Sequence, residues 1–287
     1  VNAALWGILS ALGFGTADFM ARFSTRAHNP MASYGAVLLV GAVTTSIWAG
    51  VAGPPLVWSP VGIAFAMLHG TASAVMTVLL YWGLARGPVS VVAPIVASHP
   101  AIVLVVLVAL GSRPEAYEWA AMAVVFAGGL MVVWLAEEDA AGAPGDGKAL
   151  RTTLNIAAAA CLVYAVLVLT GQHAVPEIGT LQTTWIGRVT GLAVIVVMAL
   201  AGRRSLAIRP RWMPFLLVQG LADTLGYITL AAGGSTDSPE ITAVISAGFS
   251  VITVLLAWLI LRERIGPLQW LAIAMIAGGS AVLAGGG

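Results

Sequence analysis

Ile102-Val103-Leu104-Val105-Val106-Leu107-Val108-Ala109-Leu110 presents no polar side chain on any helical face. A helix at the surface of a water-soluble domain keeps a polar stripe opposite its buried one. A helix apolar all round has lipid or protein on every side. The run belongs to a longer uncharged stretch, 90–110, and about 20 such residues are what a helix needs to cross a ~30 Å hydrocarbon core. Val251 to Leu261 likewise carries no charge. Working outward, ten stretches of this kind follow one another: 3–21, 31–52, 61–85, 90–110, 116–136, 153–173, 179–201, 212–233, 239–261 and 267–285. The 287 residues are 60% hydrophobic and only 9% charged, a balance foreign to water-soluble domains. Barrel strands would alternate apolar and polar residues, and these runs do not. The fold class expected is an all-α integral membrane bundle of ten transmembrane helices.

Turn chemistry separates the runs: Asn29-Pro30, Gly53-Pro54-Pro55, Gly87-Pro88, Gly111 with Pro114, Arg209-Pro210, Asp237-Ser238-Pro239 and Gly266-Pro267. The longest polar stretch lies mid-chain. From Glu137 to Thr152 it holds acids, glycines and Pro144, and it reads as a flexible linker. Residues 1–136 and 153–287 then form two five-helix repeats. At an offset of about 150, Ala85-Arg86-Gly87 answers Ala231-Ala232-Gly233, Ser98–Val103 lies opposite Ala247–Ile252, and Trp119 with Ala127-Gly128-Gly129 matches Trp270 with Ala277-Gly278-Gly279. Phe14 pairs with Tyr164 and Tyr34 with Thr184. Five is odd, so the second repeat is inverted relative to the first, an arrangement that recurs in secondary transporters.

Basic residues set the expected orientation. Odd-numbered connections hold Arg22, Arg26, Arg86, Lys148, Arg151, Arg203, Arg204, Arg209, Arg211, Arg262 and Arg264; even-numbered ones hold only Arg113. The linker is therefore expected in the cytoplasm and both termini outside, in the plasma (inner) membrane. The chain runs from Val1-Asn2-Ala3 straight into its first apolar stretch, so no removable signal peptide is expected and the first helix would itself direct insertion. A single cysteine, Cys161, excludes an internal disulfide or a multi-thiolate zinc site, and a net charge of +1 gives no nucleic-acid footprint. No metal or cofactor is expected.

The chain resembles the drug/metabolite transporter superfamily in its ten-helix form with two EamA-type halves. Leu261-Arg262-Glu263-Arg264-Ile265, then Gln269-Trp270-Leu271 and Ala277-Gly278-Gly279, are similar to that family's ending. Gly111-Ser112-Arg113-Pro114-Glu115 is a degenerate version in the first half. Trp6-Gly7 with Gly13-Phe14-Gly15-Thr16-Ala17-Asp18-Phe19 resembles its first helix. The resemblance implies movement of a small metabolite or drug, often outward. It also implies cytoplasmic termini, against which the charge count argues.

An ionisable group at bilayer depth costs several kcal/mol, roughly 2.5–3.5 on insertion scales, and is a functional candidate by default. Five qualify: Asp18, His69, His99, Arg188 and Asp223. Arg188 and Asp223 lie mid-span on consecutive spans, which favours either a structural ion pair or an Arg188 that holds an anionic solute group while Asp223 competes for it or carries a proton. His99 precedes Pro100, with Pro94 upstream, so this span should kink and bare backbone beside a pathway. There His99 is either a proton-coupling group or a neutral imidazole bonded to a freed carbonyl. His69 reads as a packing histidine. Asp18 and Arg22, four apart, read as an interfacial pair or a gate. Tyr164, Trp185 and Tyr227 lie deep enough to line a cavity, and Gly83/Gly87 and Gly187/Gly191 favour close helix approach.

A secondary transporter of a small solute, exporting by alternating access with protons as a candidate coupling ion, fits these features best. A lipid-linked solute flippase is the alternative. The lack of a Walker motif argues against a self-contained pump, and a membrane enzyme is disfavoured because no HExxH motif occurs and the four histidines (His28, His69, His99, His173) are scattered. Monomer and homodimer are both open.

Overall fold

The turn residues cap the helices they precede. Asn2 accepts the Leu5 amide at 2.9 Å, Asn29 the Ala32 amide at 2.9 Å and Ser59 the Gly62 amide at 3.2 Å. Pro30 and Pro60 take the first helical positions, where a missing N–H costs nothing. The computed structural model describes residues 2–111, 113–141, 147–234, 236 and 239–285, and among these every regular element is a helix. In order they are α1 (Ala3–Ala27), α2 (Pro30–Ala52), α3 (Pro60–Arg86), α4 (Val89–Ala97), α5 (His99–Ala109), α6 (Ala116–Ala141), α7 (Gly147–Ile178), α8 (Thr180–Ala201), α9 (Met213–Gly234), α10 (Pro239–Ser246), α11 (Phe249–Leu256) and α12 (Pro267–Gly285). Paired as α4–α5 and α10–α11, they account for the ten expected spans. Eight spans are helical stretches long and apolar enough to cross a membrane, α4 and α5 counting together.

The two broken spans are repeat equivalents. Ser98, between α4 and α5, has φ −79° and ψ 2°; Gly248, between α10 and α11, has φ −71° and ψ 1°. In the first half the cause is proline. Pro100 cannot donate to the carbonyl of Val96 four residues back, and His99 Nδ1 sits 3.2 Å from that oxygen instead. In the second half Ala247-Gly248 makes the same bend without proline.

Two expected boundaries are corrected. Of the stretch 137–152 read as linker, 137–141 continue α6 and 147–152 begin α7, while 142–146 fall outside the described residues. α1 runs six residues past 21, because Arg22 and Arg26 remain helical beyond the apolar run.

The halves interlock rather than abut. α3 packs on α7 and, equivalently, α1 on α9; α2 lies against α8, and α6 against α12. Glycines permit this. A Cβ on Gly70 would stand 2.4 Å from the Gly187 carbonyl oxygen, and one on Gly13 2.7 Å from the Ala222 oxygen and the Gly226 nitrogen. Gly187 and Gly191 both face Gly70, and Gly83 and Gly87 face Val92 and Thr153, so both expected glycine pairs are contact faces. Polarity is turned inside out. Leu130 and Leu200 are exposed while Gln219, Ser10 and Thr253 are fully buried, as suits a solvent of hydrocarbon. The buried hydroxyls bond across the halves: Ser10 Oγ donates to the Gly226 carbonyl (3.0 Å), Thr242 to that of Ala3 (2.9 Å) and Ser280 to that of Ala97 (3.1 Å).

Candidate functional site

Five tyrosines occur in the chain, and four of them, Tyr34, Tyr81, Tyr164 and Tyr227, come from four different helices to one place. They line a chamber of about 40 Å³, with room for a few waters. Asp18 of α1 and Asp223 of α9 complete its polar wall, with Phe14 and Phe249 beside them. Tyr34 Oη lies 2.9 Å from Ser73 Oγ, and the Tyr81 hydroxyl accepts from Gln219 Nε2 at 2.8 Å. Each phenol is thereby fixed by a partner buried outside the chamber.

A second cavity, about 260 Å³, adjoins the first and shares Phe14, Tyr164, Tyr227 and Phe249 with it. It is the more apolar of the two, and His69, His99, Leu230 and Ser280 extend its wall. The shared aromatics therefore stand between a polar chamber and an apolar vestibule. Phe14 meets Tyr227 edge-on at 4.8 Å and Phe249 at 6.3 Å. His99 stacks on Tyr164 at 3.7 Å, nearly parallel.

Arg188 and Asp223 do pair, with Nη2 and Oδ2 2.5 Å apart. The guanidinium also lies 4.3 Å over the Tyr227 ring, a cation–π contact. It is almost wholly buried, and Gly41 leaves the room it occupies: a Cβ there would stand 3.2 Å from Arg188 Cδ. Asp223 and Tyr227 line the chamber; Arg188 does not. The structure thus brings Asp223, Tyr164, Tyr227 and His99 to the cavities and sets Arg188 behind two of them.

Two expectations change. The Asp18–Arg22 pair does not form. Arg22 Nη1 donates to the carbonyls of Leu84 and Gly87, which the end of α3 leaves without intrahelical donors, so its charge sits at the negative end of that helix. Asp18 turns to the chamber instead and has no hydrogen-bond partner among the described residues. Trp185 is not at this site. Its Nε1 donates to Ser46 at 2.9 Å and its ring lines a separate apolar pocket of about 250 Å³ with Trp58 and Met67. His69 behaves as the packing histidine expected, Nδ1 lying 2.9 Å from the Leu167 carbonyl oxygen.

Sequence reasoning passed over Tyr34 and Tyr81 as site residues, and over Thr77. The available signal was the confinement of four tyrosines to span interiors. It also passed over Glu263. That carboxylate accepts the amides of Val89 and Ser90, each at 3.1 Å, and so caps the N-terminus of α4 from the far end of the chain. Arg22 and Glu263 lie at the same end of the bundle, one on each side of the α3–α4 turn.

A polytopic helical membrane protein with broken spans of matched geometry and a polar chamber between interlocked repeats belongs architecturally with the inverted-repeat carriers. The chain belongs to the EamA-like transporter family, whose model matches residues 1–134 and again 152–285. It is accordingly a multi-pass membrane protein of a family that transports small solutes. One solved crystal structure is similar in fold, with a TM-score of 0.65 at 16% identity, over 98% of this chain and 95% of that one. No curated protein matches the sequence.

Proposed function

We propose that the chain is a secondary transporter that carries a small solute between vestibule and chamber by rocking its two halves in alternating access. The observation that carries this reading is the meeting of two cavities, one polar and one apolar, at four aromatic side chains drawn from both repeats. A solute can be held there by ring faces while its polar end reaches Asp18 or Asp223. The broken spans favour the same reading, since α4–α5 and α10–α11 line the cavities where irregular backbone is tolerable.

Direction and orientation belong to the proposal. Eleven of the 13 basic residues lie in the odd-numbered connections or on the helix ends beside them, which favours a cytoplasmic position for that end. These connections do gather: Asn29 Nδ2 donates to Ser205 O at 2.6 Å, and Arg209 N to His28 Nε2 at 3.2 Å. Arg22 and Glu263 also bond on either side of the α3–α4 turn, and together these contacts favour a state closed at the basic end. Export is the direction proposed, with the solute loaded when that end opens.

Counterflow of radiolabelled solutes in proteoliposomes tests transport, with amino acids, nucleosides, sugars and cationic dyes as the panel. No counterflow for any class, with lipid scrambling present instead, would replace this reading by the flippase. For orientation, cysteines introduced as Gly145→Cys and Leu56→Cys in a Cys161→Ala background are labelled from outside. Label at 56 alone is expected; label at 145 alone reverses the topology.

A further inference from the structure

α11 is prolonged by a wide π-helical turn, Ala257–Leu261, and the next residue, Arg262, stands in the left-handed region at φ 55° and ψ 37°. Side chains other than glycine and asparagine are disfavoured there. At the offset of about 150, the equivalent position of the first repeat is Gly111, also with positive φ, at 101°. The same span end is thus turned with glycine in one half and with a strained arginine in the other. What the arginine adds is a guanidinium at the basic end of the bundle. Arg203 shares the left-handed conformation, but of the two only Arg262 opens onto the groove described next.

From Arg262 to Gly266 the chain has no regular structure, and its exposure alternates. Arg262 and Arg264 are exposed, while Leu261, Glu263 and Ile265 are half-buried. The two arginines therefore face outward as Glu263 turns in to α4. Glu263 borders the groove too, but each of its oxygens accepts one α4 amide. Neither guanidinium has an ion-pair or hydrogen-bond partner among the described residues, where charge pairing is confined to Arg188 and Asp223.

Both arginines line an open groove of about 600 Å³ whose wall continues onto Trp258 and Leu259. These are exposed apolar side chains of the spanning helix, and Trp258 meets Trp270 edge-on at 6.2 Å. Tryptophans gather at the membrane–water interface. One groove thus joins two unpaired cations to apolar surface that faces lipid. A soluble anion would use only the first part. A phospholipid uses both, because a planar guanidinium matches phosphate oxygens two at a time and an acyl chain can lie along the indole and the leucine.

We propose that Arg262, Arg264, Trp258 and Leu259 form a binding site for an anionic phospholipid of the leaflet at the basic end, with its phosphodiester on the two guanidiniums and an acyl chain against the apolar pair. The site lies apart from both cavities and does not rest on the transporter reading.

The test uses the whole chain, delipidated in detergent and offered an equimolar mixture of phosphatidylglycerol and phosphatidylcholine, with bound lipid counted by native mass spectrometry. An arginine near the surface is worth about a fivefold preference for anionic lipid, so two should give about 25-fold. Arg262→Asn suits the left-handed position and should lower the preference about fivefold without lowering the melting temperature in lipid-free detergent. Adding Arg264→Gln should abolish the preference. Arg211→Gln, at an exposed arginine of the same end outside the groove, should leave it unchanged. A loss from Arg211→Gln equal to that from Arg262→Asn would mean diffuse attraction and overturn the site, as would an undiminished preference in the double variant. A lower melting temperature for Arg262→Asn without lipid would make the arginine a helix cap and overturn it as well. Inorganic phosphate and glycerol 1-phosphate separate the sources of the phosphate. Neither should displace phosphatidylglycerol, and displacement by either would overturn the lipid in favour of a soluble anion.

Discussion

Removing one partner of the Arg188–Asp223 pair should harm the protein far more than removing both. Opposite unit charges about 4 Å apart attract by about 4 kcal/mol at an effective dielectric constant of ~20, and here the charged atoms approach to 2.5 Å. That attraction offsets the cost of taking both groups out of water, so the net contribution of the intact pair is small. Arg188→Met leaves the Asp223 carboxylate without a cation; Asp223→Leu leaves the guanidinium only its contact with Tyr227. Each single change is expected to cost about 3–5 kcal/mol, whereas the double change should fall within about 1 kcal/mol of the parent or exceed it. The coupling between the two sites is then at least about 5 kcal/mol, a factor of roughly several thousand in the folded-to-unfolded ratio. Denaturant titration of the four proteins in one detergent measures it, with tryptophan fluorescence as the probe. Transport should be lost in the double variant despite its restored stability, because Asp223 lines the chamber. Additive losses, with coupling under about 0.5 kcal/mol, would refute the claim that these charges are desolvated together.

Gly70→Ala should lower the melting temperature and the transport rate together, since its Cβ meets the Gly187 carbonyl oxygen at 2.4 Å and overpacking costs about 1–3 kcal/mol; Gly129→Ala, with nothing within 4 Å, should be neutral or slightly stabilising. Glu263→Gln should weaken the cap on α4 by about 0.5–2 kcal/mol and speed maleimide labelling of a cysteine placed at Ala93 from the basic end. An unchanged labelling rate would remove Glu263 from closure. His99→Asn should leave the pH profile of transport in place, because the imidazole is engaged with the carbonyl that Pro100 frees; a flattened profile would return proton coupling to His99.

Much of the fold was legible because hydrocarbon is an unforgiving solvent. An uncharged run of about 20 residues has one stable fate there. The two broken spans were half legible. Pro94 and Pro100 announce a bend at 98–100, while Ala247-Gly248 bends through its place in the repeat. Arg188 and Asp223 were readable as partners from their depth on consecutive spans. The linker bounds were not, since polar residues such as Lys148 and Arg151 can as well continue a helix into the headgroups as end it.

Sequence alone determined the solvent, the helical class, the number of spans and the repeat, because each follows from local composition or from order along the chain. Tertiary structure alone decided what each polar side chain meets. Four-residue spacing puts Asp18 and Arg22 on neighbouring turns, yet helix-end carbonyls of α3 took the arginine and the tyrosine chamber took the aspartate. Trp185 and Arg188 are one turn apart, and one faces an outer pocket while the other is buried behind the chamber. A helix fixes the direction in which a side chain leaves its axis; the helix that stands opposite comes from the other half of the chain, about 150 residues away.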